Sequence, residues 1–328
     1  MVMDHKKEFL FMVKLTKALH TYGAGAHQLE RAVNNICLQL GADGDFSSTP
    51  TSLTLQYIKG EVEFFRVLRV SPGDVNLTKL ALLDNIADQV LDRQITVEEA
   101  SEQIDRIVRL GPPYSAFVRV LAFICSGLCV STFLHGGLHE VMVAGFLSGL
   151  IGLLSLWVSS SPNGGPVFEG IGSFIVCFMS YLLTLIYPEL TISLVVLSGL
   201  IVLVPGLALT MAINELATQN LVSGTARMMG AGTVFLKMGF GLALGQALAQ
   251  KLGFESANSI PEQLPAWTVY LALLFAPVGF LVLFRARIKD MPFVWIVGVS
   301  GFLVTRSAGA WVGSELAPFF GGLLVGTL

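Results

Sequence analysis

Beyond Pro113 the chain is built from long apolar runs separated by short polar breaks. A bilayer's hydrocarbon core is about 30 Å thick, and a helix needs about 20 apolar residues to cross it. Runs near residues 115–134, 138–158, 167–187, 190–212, 229–250, 266–284, 292–308 and 310–328 approach that length. In lipid the backbone has to satisfy its own hydrogen bonds, and these runs are too long and continuous for the strands of a barrel. The expected fold class is therefore an α-helical polytopic membrane protein, with about eight transmembrane helices in this chain and an N-terminal α+β cytosolic domain.

Charge separates the two regions. The chain has 20 basic and 23 acidic residues, 27 of which lie within residues 1–113, leaving 16 for the remaining 215 positions. With 53% apolar residues, 13% charged residues and a mean hydropathy of +0.71, the whole lies outside the range of ordinary soluble domains. Three stretches are expected: residues 1–113 as the cytosolic domain, 114–254 as a first transmembrane half of about five helices, and 255–328 as the start of a second half of about three. The last run ends inside FFGGLLVGTL, so the natural protein is expected to continue beyond Leu328, or the chain to be a fragment.

Within the first stretch, helical periodicity runs from Lys6 to Tyr22, is broken by Gly23-Ala24-Gly25, and resumes from Ala26 to Leu40. Ser52 to Ile58 and Val62 to Val70 favour strands, with Lys59-Gly60-Glu61 as a hairpin turn. Asn76 to Leu91 and Thr96 to Leu110 return to helix, with Asn76 and Thr96 as N-caps and Glu99 completing a capping box. The opening segment contains an apolar run of only five residues, Phe9 to Val13, too short for a signal-peptide core. Short-loop basic residues place the N-terminus inside: inner loops hold Arg227, Arg285, Arg287 and Lys289, outer ones only Lys251 and Arg306.

Several function classes fall away. A net charge of −3 with interleaved signs offers no basic stripe for nucleic acid. The four cysteines, Cys37, Cys125, Cys129 and Cys177, show no metal-ligand spacing, so no metal and no cofactor is expected. No nucleophile elbow, HExxH, Walker loop or GxGxxG occurs, so the chain is not expected to be an enzyme.

Ionisable groups inside the membrane cost about 2.5–3.5 kcal/mol each on insertion scales and mark cavities or partners. Lys237 lies between the apolar stretches Met228–Leu236 and Met238–Leu248. It is read either as a receptor for a substrate carboxylate or part of a proton path, or as a structural partner of an inward carboxylate. Glu140, Glu169, Glu215 and Glu315 are the carboxylates. Glu215 stands out because Asn214, Gln219, Asn220, Ser223, Thr225 and Arg227 surround it in sequence. His135 and His139 flank Gly136-Gly137, where they are either pH-sensing or merely solvated. Pro205-Gly206 interrupts the fourth run, as broken transporter helices do, or as a packing kink does. Gly145/Gly149, Gly241/Gly245 and Gly322/Gly326 have the spacing that lets helices approach closely.

The stretches GAGAHQLERAVNNICLQLG, FSSTPTSLTLQY, FFRVLRV and VPGLALTMAINELATQNLVSGTARMMGA resemble the threonine/serine exporter family of bacterial and fungal membrane proteins, over nearly the whole chain. The resemblance implies a secondary exporter of the inner (plasma) membrane that expels threonine and serine, driven by the proton gradient. It also implies relatives, with their halves on separate chains, that handle a dicarboxylate. Pro205, Gly206, Asn214, Glu215, Ser223, Gly224 and Arg227 match the family's first-half pattern. Leu273 to Arg306 resembles the start of a second half that usually brings the total to about ten spans. A second copy or a partner chain is thus expected to supply the rest.

The expected mechanism is alternating access, with a zwitterion's carboxylate near Lys237 or Arg227, its ammonium near Glu215, and protons moving inward. The rival expectation is a membrane-anchored sensor or regulatory protein whose cytosolic domain binds a ligand or partner.

Overall fold

In a computed structural model the chain divides into two compact units, Met1–Pro113 with Pro205–Thr233, and Tyr114–Val204 with Val234–Leu328. Residues 2–71, 73–159, 161, 164–254, 261–313 and 315–327 are described; Leu328, on which the expectation of a continuing chain rests, lies outside them.

The N-terminal unit opens with α1 (Val2–Thr21) and α2 (Ala26–Gln39). Helix α1 stops where Gly23 adopts φ 94°, a left-handed conformation that costs glycine little. Strands β1 (Phe46–Thr49), β2 (Ser52–Lys59) and β3 (Val62–Arg69) form an antiparallel sheet in the order β1-β2-β3. Phe46 pairs with Leu55, and Ser52 with Arg69. The expected β2–β3 hairpin is present, with Gly60 at φ 62° in its turn; β1 is an additional strand. Helices α3 (Leu77–Leu91) and α4 (Val97–Arg109) follow. The Asn76 side chain accepts from Lys79 N, and Thr96 and Glu99 form the full capping box.

Alternation on β2 turns Leu53, Leu55 and Tyr57 inward, each fully buried with Phe11, Met12 and Leu15 of α1, Val33 and Ile36 of α2, and Leu83 of α3. At about 1.5–3 kcal/mol per buried side chain, this core is what holds the small sheet to its helices. Lys79 adds a polar staple: its ammonium donates to Tyr22 Oη at 3.2 Å and to Val108 O, in the last turn of α4, at 3.0 Å.

Residues 205–233 of the same unit comprise α9 (Gly206–Ala217) and the first part of α10 (Leu221–Lys251). Gln219, at φ 65°, turns the chain between them, and Asn220 N donates to Glu215 O at 2.8 Å. At Gly224 a Cβ would stand 2.7 Å from the Leu216 side chain, so the two helices pack tightly.

The second unit holds α5 (Ala116–Phe133), α6 (Leu138–Ser159), α7 (Phe168–Leu183), which a 3-10 turn at Gly165–Val167 extends to a 19-residue span, α8 (Ile192–Gly199), the rest of α10, α11 (Thr268–Leu283), α12 (Met291–Val312) and α13 (Ala317–Thr327). Among the described residues five helices are long and apolar enough to cross a membrane, or six if the pair Ile192–Gly199 and Ile201–Ala217, bent by 48°, counts as one span. The expected count of about eight is not reached among the described residues, and three places account for the difference. The run 190–212 breaks at Val204-Pro205, because proline takes the N-cap of α9 and cannot continue the preceding turn. Helix α11 has 16 residues. The runs 292–308 and 310–328 are divided differently: α12 continues to Val312, and α13 begins only at Ala317.

Candidate functional site

Two charged clusters emerge, one in each unit. In the N-terminal unit Glu215, on α9, is 1% exposed. Its carboxylate is held by Arg227 of α10, whose Nε stands 2.9 Å from Oε1 and 3.0 Å from Oε2. It also accepts the Ala26 N–H at 3.0 Å. Ala26 opens α2, and the N-cap residue Gly25 has no side chain to satisfy the helix's first donors. Glu215 performs that task from a distant segment, and its charge is favourable at the positive end of the helix.

Ser223, 3% exposed and one turn before Arg227, donates from Oγ to Ser48 O at 2.9 Å. Ser48 N in turn donates to Glu30 Oε1 at 2.8 Å, and burial raises the Glu30 carboxyl above its usual range. His20, 2% exposed, has Nε2 3.3 Å from Pro50 O. Burial pushes its imidazole below the ordinary histidine value, and the Arg227 charge pushes in the same direction.

In the second unit Lys237 of α10 forms an ion pair with Glu169 of α7, Nζ to Oε2 3.2 Å, with side chains 32% and 20% exposed. The two helices come together because Gly241 leaves room: a Cβ there would lie 2.2 Å from Gly170 O. Of the glycine pairs read as packing devices, Gly145/Gly149 and Gly241/Gly245 stand against neighbouring helices, whereas a Cβ at Gly322 or Gly326 would meet nothing within 4 Å among the described residues.

The remaining candidates have local structural roles. Glu140, 4% exposed, accepts from Thr191 N at 3.0 Å, at the start of α8. His135 is exposed at φ 61° and closes α5, its N–H returning to Thr132 O at 3.1 Å. Asn214 is exposed and contributes its carbonyl to Thr218. Pro205 and Gly206 start α9. The expected pairing of one zwitterion between Glu215 and Lys237 or Arg227 meets a different arrangement: Glu215 already binds Arg227, and Lys237 binds Glu169. Residue reading missed His20, Glu30 and Ser48; the one sequence signal for them is Gly25, an N-cap lacking a side chain before a long helix.

Span-length apolar helices, a charged pair on two of them and a smaller α+β unit define a polytopic helical membrane protein. The family described as "Putative threonine/serine exporter" matches residues 10–249, and the chain belongs to it. It is also 29% identical to Pheromone-regulated membrane protein 10 of Kluyveromyces lactis over 91% of this chain and 32% of that protein. It is 28% identical to the protein of the same name from Pichia sorbitophila over 97% and 33%, and 27% identical to that of Eremothecium gossypii over 100% and 45%. The chain thus spans a third to under half of the length of these relatives. No solved structure matches it.

Proposed function

We propose that the chain is a proton-coupled secondary exporter of small polar metabolites, threonine and serine first, in the plasma (inner) membrane with its N-terminal unit in the cytosol. The Lys237–Glu169 pair carries this reading. Two opposite charges on span-length helices neutralise one another while both stay partly accessible, which suits a site that exchanges partners. A zwitterion replaces the pair charge for charge: its carboxylate takes Lys237 and its ammonium takes Glu169. Without substrate the pair re-forms, and protonation of Glu169 frees Lys237 for the return. Alternating access around such a pair moves substrate and proton in opposite directions. Glu169 replaces Glu215 here as the ammonium partner.

The test is efflux of preloaded radiolabelled threonine, serine and succinate from cells expressing the chain, with and without a protonophore. Protonophore-sensitive threonine or serine efflux that Lys237→Leu abolishes supports the reading. Efflux indifferent to Lys237→Leu and Glu169→Gln overturns it. The second reading, a membrane-anchored sensor, is favoured by the buried polar cluster of the N-terminal unit, and it predicts tolerance of both substitutions.

A further inference from the structure

Four hydrogen-bonded contacts and two helix turns close a ring in the N-terminal unit. Ala26 N binds Glu215, Glu215 binds Arg227, Ser223 binds Ser48 O, and Ser48 N binds Glu30. The circuit closes through α10, where Ser223 and Arg227 are four residues apart, and through α2, where Ala26 and Glu30 are four apart, each pair on one helix face.

The ring is unbalanced and unsaturated. It holds two carboxylates against one guanidinium, and burial lowers the His20 imidazole below its ordinary value. Glu30 receives one N–H and forms no ion pair among the described residues; burial and the Glu215 charge raise its carboxyl, against the Ser48 N–H and the nearby His27, which lower it. Arg227 spends only Nε on Glu215; among the described residues its Nη nitrogens make no hydrogen bond, and the side chain keeps 15% exposure. His20 Nδ1 is buried without a partner.

A pre-oriented guanidinium edge offers two parallel donors that fit a carboxylate. A half-buried carboxylate outside any ion pair fits an ammonium. We propose that this ring binds a small zwitterion of the α-amino-acid type, its carboxylate on the Arg227 Nη edge and its ammonium on Glu30, as a recognition site separate from the Lys237–Glu169 pair; the choice of amino acid rests on the exporter reading. A dicarboxylate is disfavoured, because its second charge would face Glu30 and Glu215. A simple amine is disfavoured because it leaves Arg227 unused.

The experiment is titration calorimetry on the full chain purified in detergent. Its probes are threonine, 3-hydroxybutyrate, which lacks the ammonium, 1-amino-2-propanol, which lacks the carboxylate, and succinate. Threonine binds saturably, and each of the other three binds at least about ten-fold more weakly, the loss of one charge contact. Glu30→Gln still accepts the Ser48 N–H, so it retains the fold, shown by its unliganded melting temperature, and weakens threonine about ten-fold or more. Arg227→Lys, which keeps the charge and loses the planar edge, does the same. Threonine affinity unchanged in Glu30→Gln, or succinate binding as tightly as threonine, overturns the proposal even where wild-type efflux is intact. Glu30-dependent threonine binding without efflux overturns the exporter reading and leaves this site standing.

Discussion

Glu215 and Ala26 are 189 positions apart, yet the glutamate's Oε1 accepts the alanine's backbone N–H at 3.0 Å and caps α2 from outside that helix. The same carboxylate neutralises Arg227, so one side chain satisfies a helix end and a guanidinium together. Glutamine at 215 keeps an acceptor for Ala26 and loses the charge that Arg227 needs.

Glu215→Gln should therefore destabilise the folded chain by about 2 kcal/mol, below the 3–5 kcal/mol of a fully buried broken pair because Arg227 reaches solvent. Gly25 has φ −69° and ψ 150°, values open to any residue, so Gly25→Ser supplies a local cap worth roughly a few tenths of a kcal/mol over glycine. Thermal unfolding of the two single variants checks both effects: Glu215→Gln melts lower than wild type, and Gly25→Ser melts no lower. A Glu215→Gln protein as stable as wild type would mean that the Arg227 charge does not depend on Glu215.

Glu30 sets a pH dependence of definite sign. Its carboxyl is raised in the folded chain by burial first and by the Glu215 charge, so ionising it opposes folding. The unfavourable contribution is present above the folded-state value and disappears as pH falls through that value towards the unfolded one. Glu30→Gln should consequently melt no lower than wild type at pH 7, with any advantage shrinking on acidification to about pH 4, near the ordinary glutamate value. Melting curves of the two proteins across this range decide it; a Gln variant less stable at pH 7 and converging from below would reverse the sign.

At Gly241 α7 and α10 approach closely, and the Lys237–Glu169 pair sits one helix turn away. A methyl group at 241 meets the Gly170 carbonyl at 2.2 Å, and backbone cannot yield as a flexible side chain does. Gly241→Ala should force the helices apart, costing about 1–3 kcal/mol by overpacking and lowering efflux through the displaced ion pair. Gly322→Ala meets nothing within 4 Å and should be silent in both assays. Equal effects of the two substitutions would remove the close approach as the cause.

Local signals made much of the architecture legible. The hairpin was visible in Lys59-Gly60-Glu61 between two β-favouring runs, and the α4 start in Thr96 and Glu99, because turn and cap chemistry acts over three or four residues. Strand β1 was not visible: Phe46-Ser-Ser-Thr is short and polar, and it becomes a strand only by pairing with β2. The bend at Pro205 was foreshadowed by the residue itself, but not the end of the preceding helix at Gly199. Glu215, Arg227 and Lys237 were conspicuous as charges in or beside apolar runs, whereas Glu30 and His20 sat among other polar residues and gave no sign of burial.

By itself the sequence determined what each stretch must exchange with its surroundings: apolar runs need lipid or each other, glycines allow close approach, and an isolated charge needs a partner. Which partner was decided only by tertiary structure. Glu215 could have met Lys237, and Glu169 could have met Arg227; in the fold Glu215 meets Arg227 and the N-terminus of α2, and Glu169 meets Lys237. Charge pairing is long in sequence and short in space, so its choice follows from which helices the packing of Gly224 and Gly241 brings together.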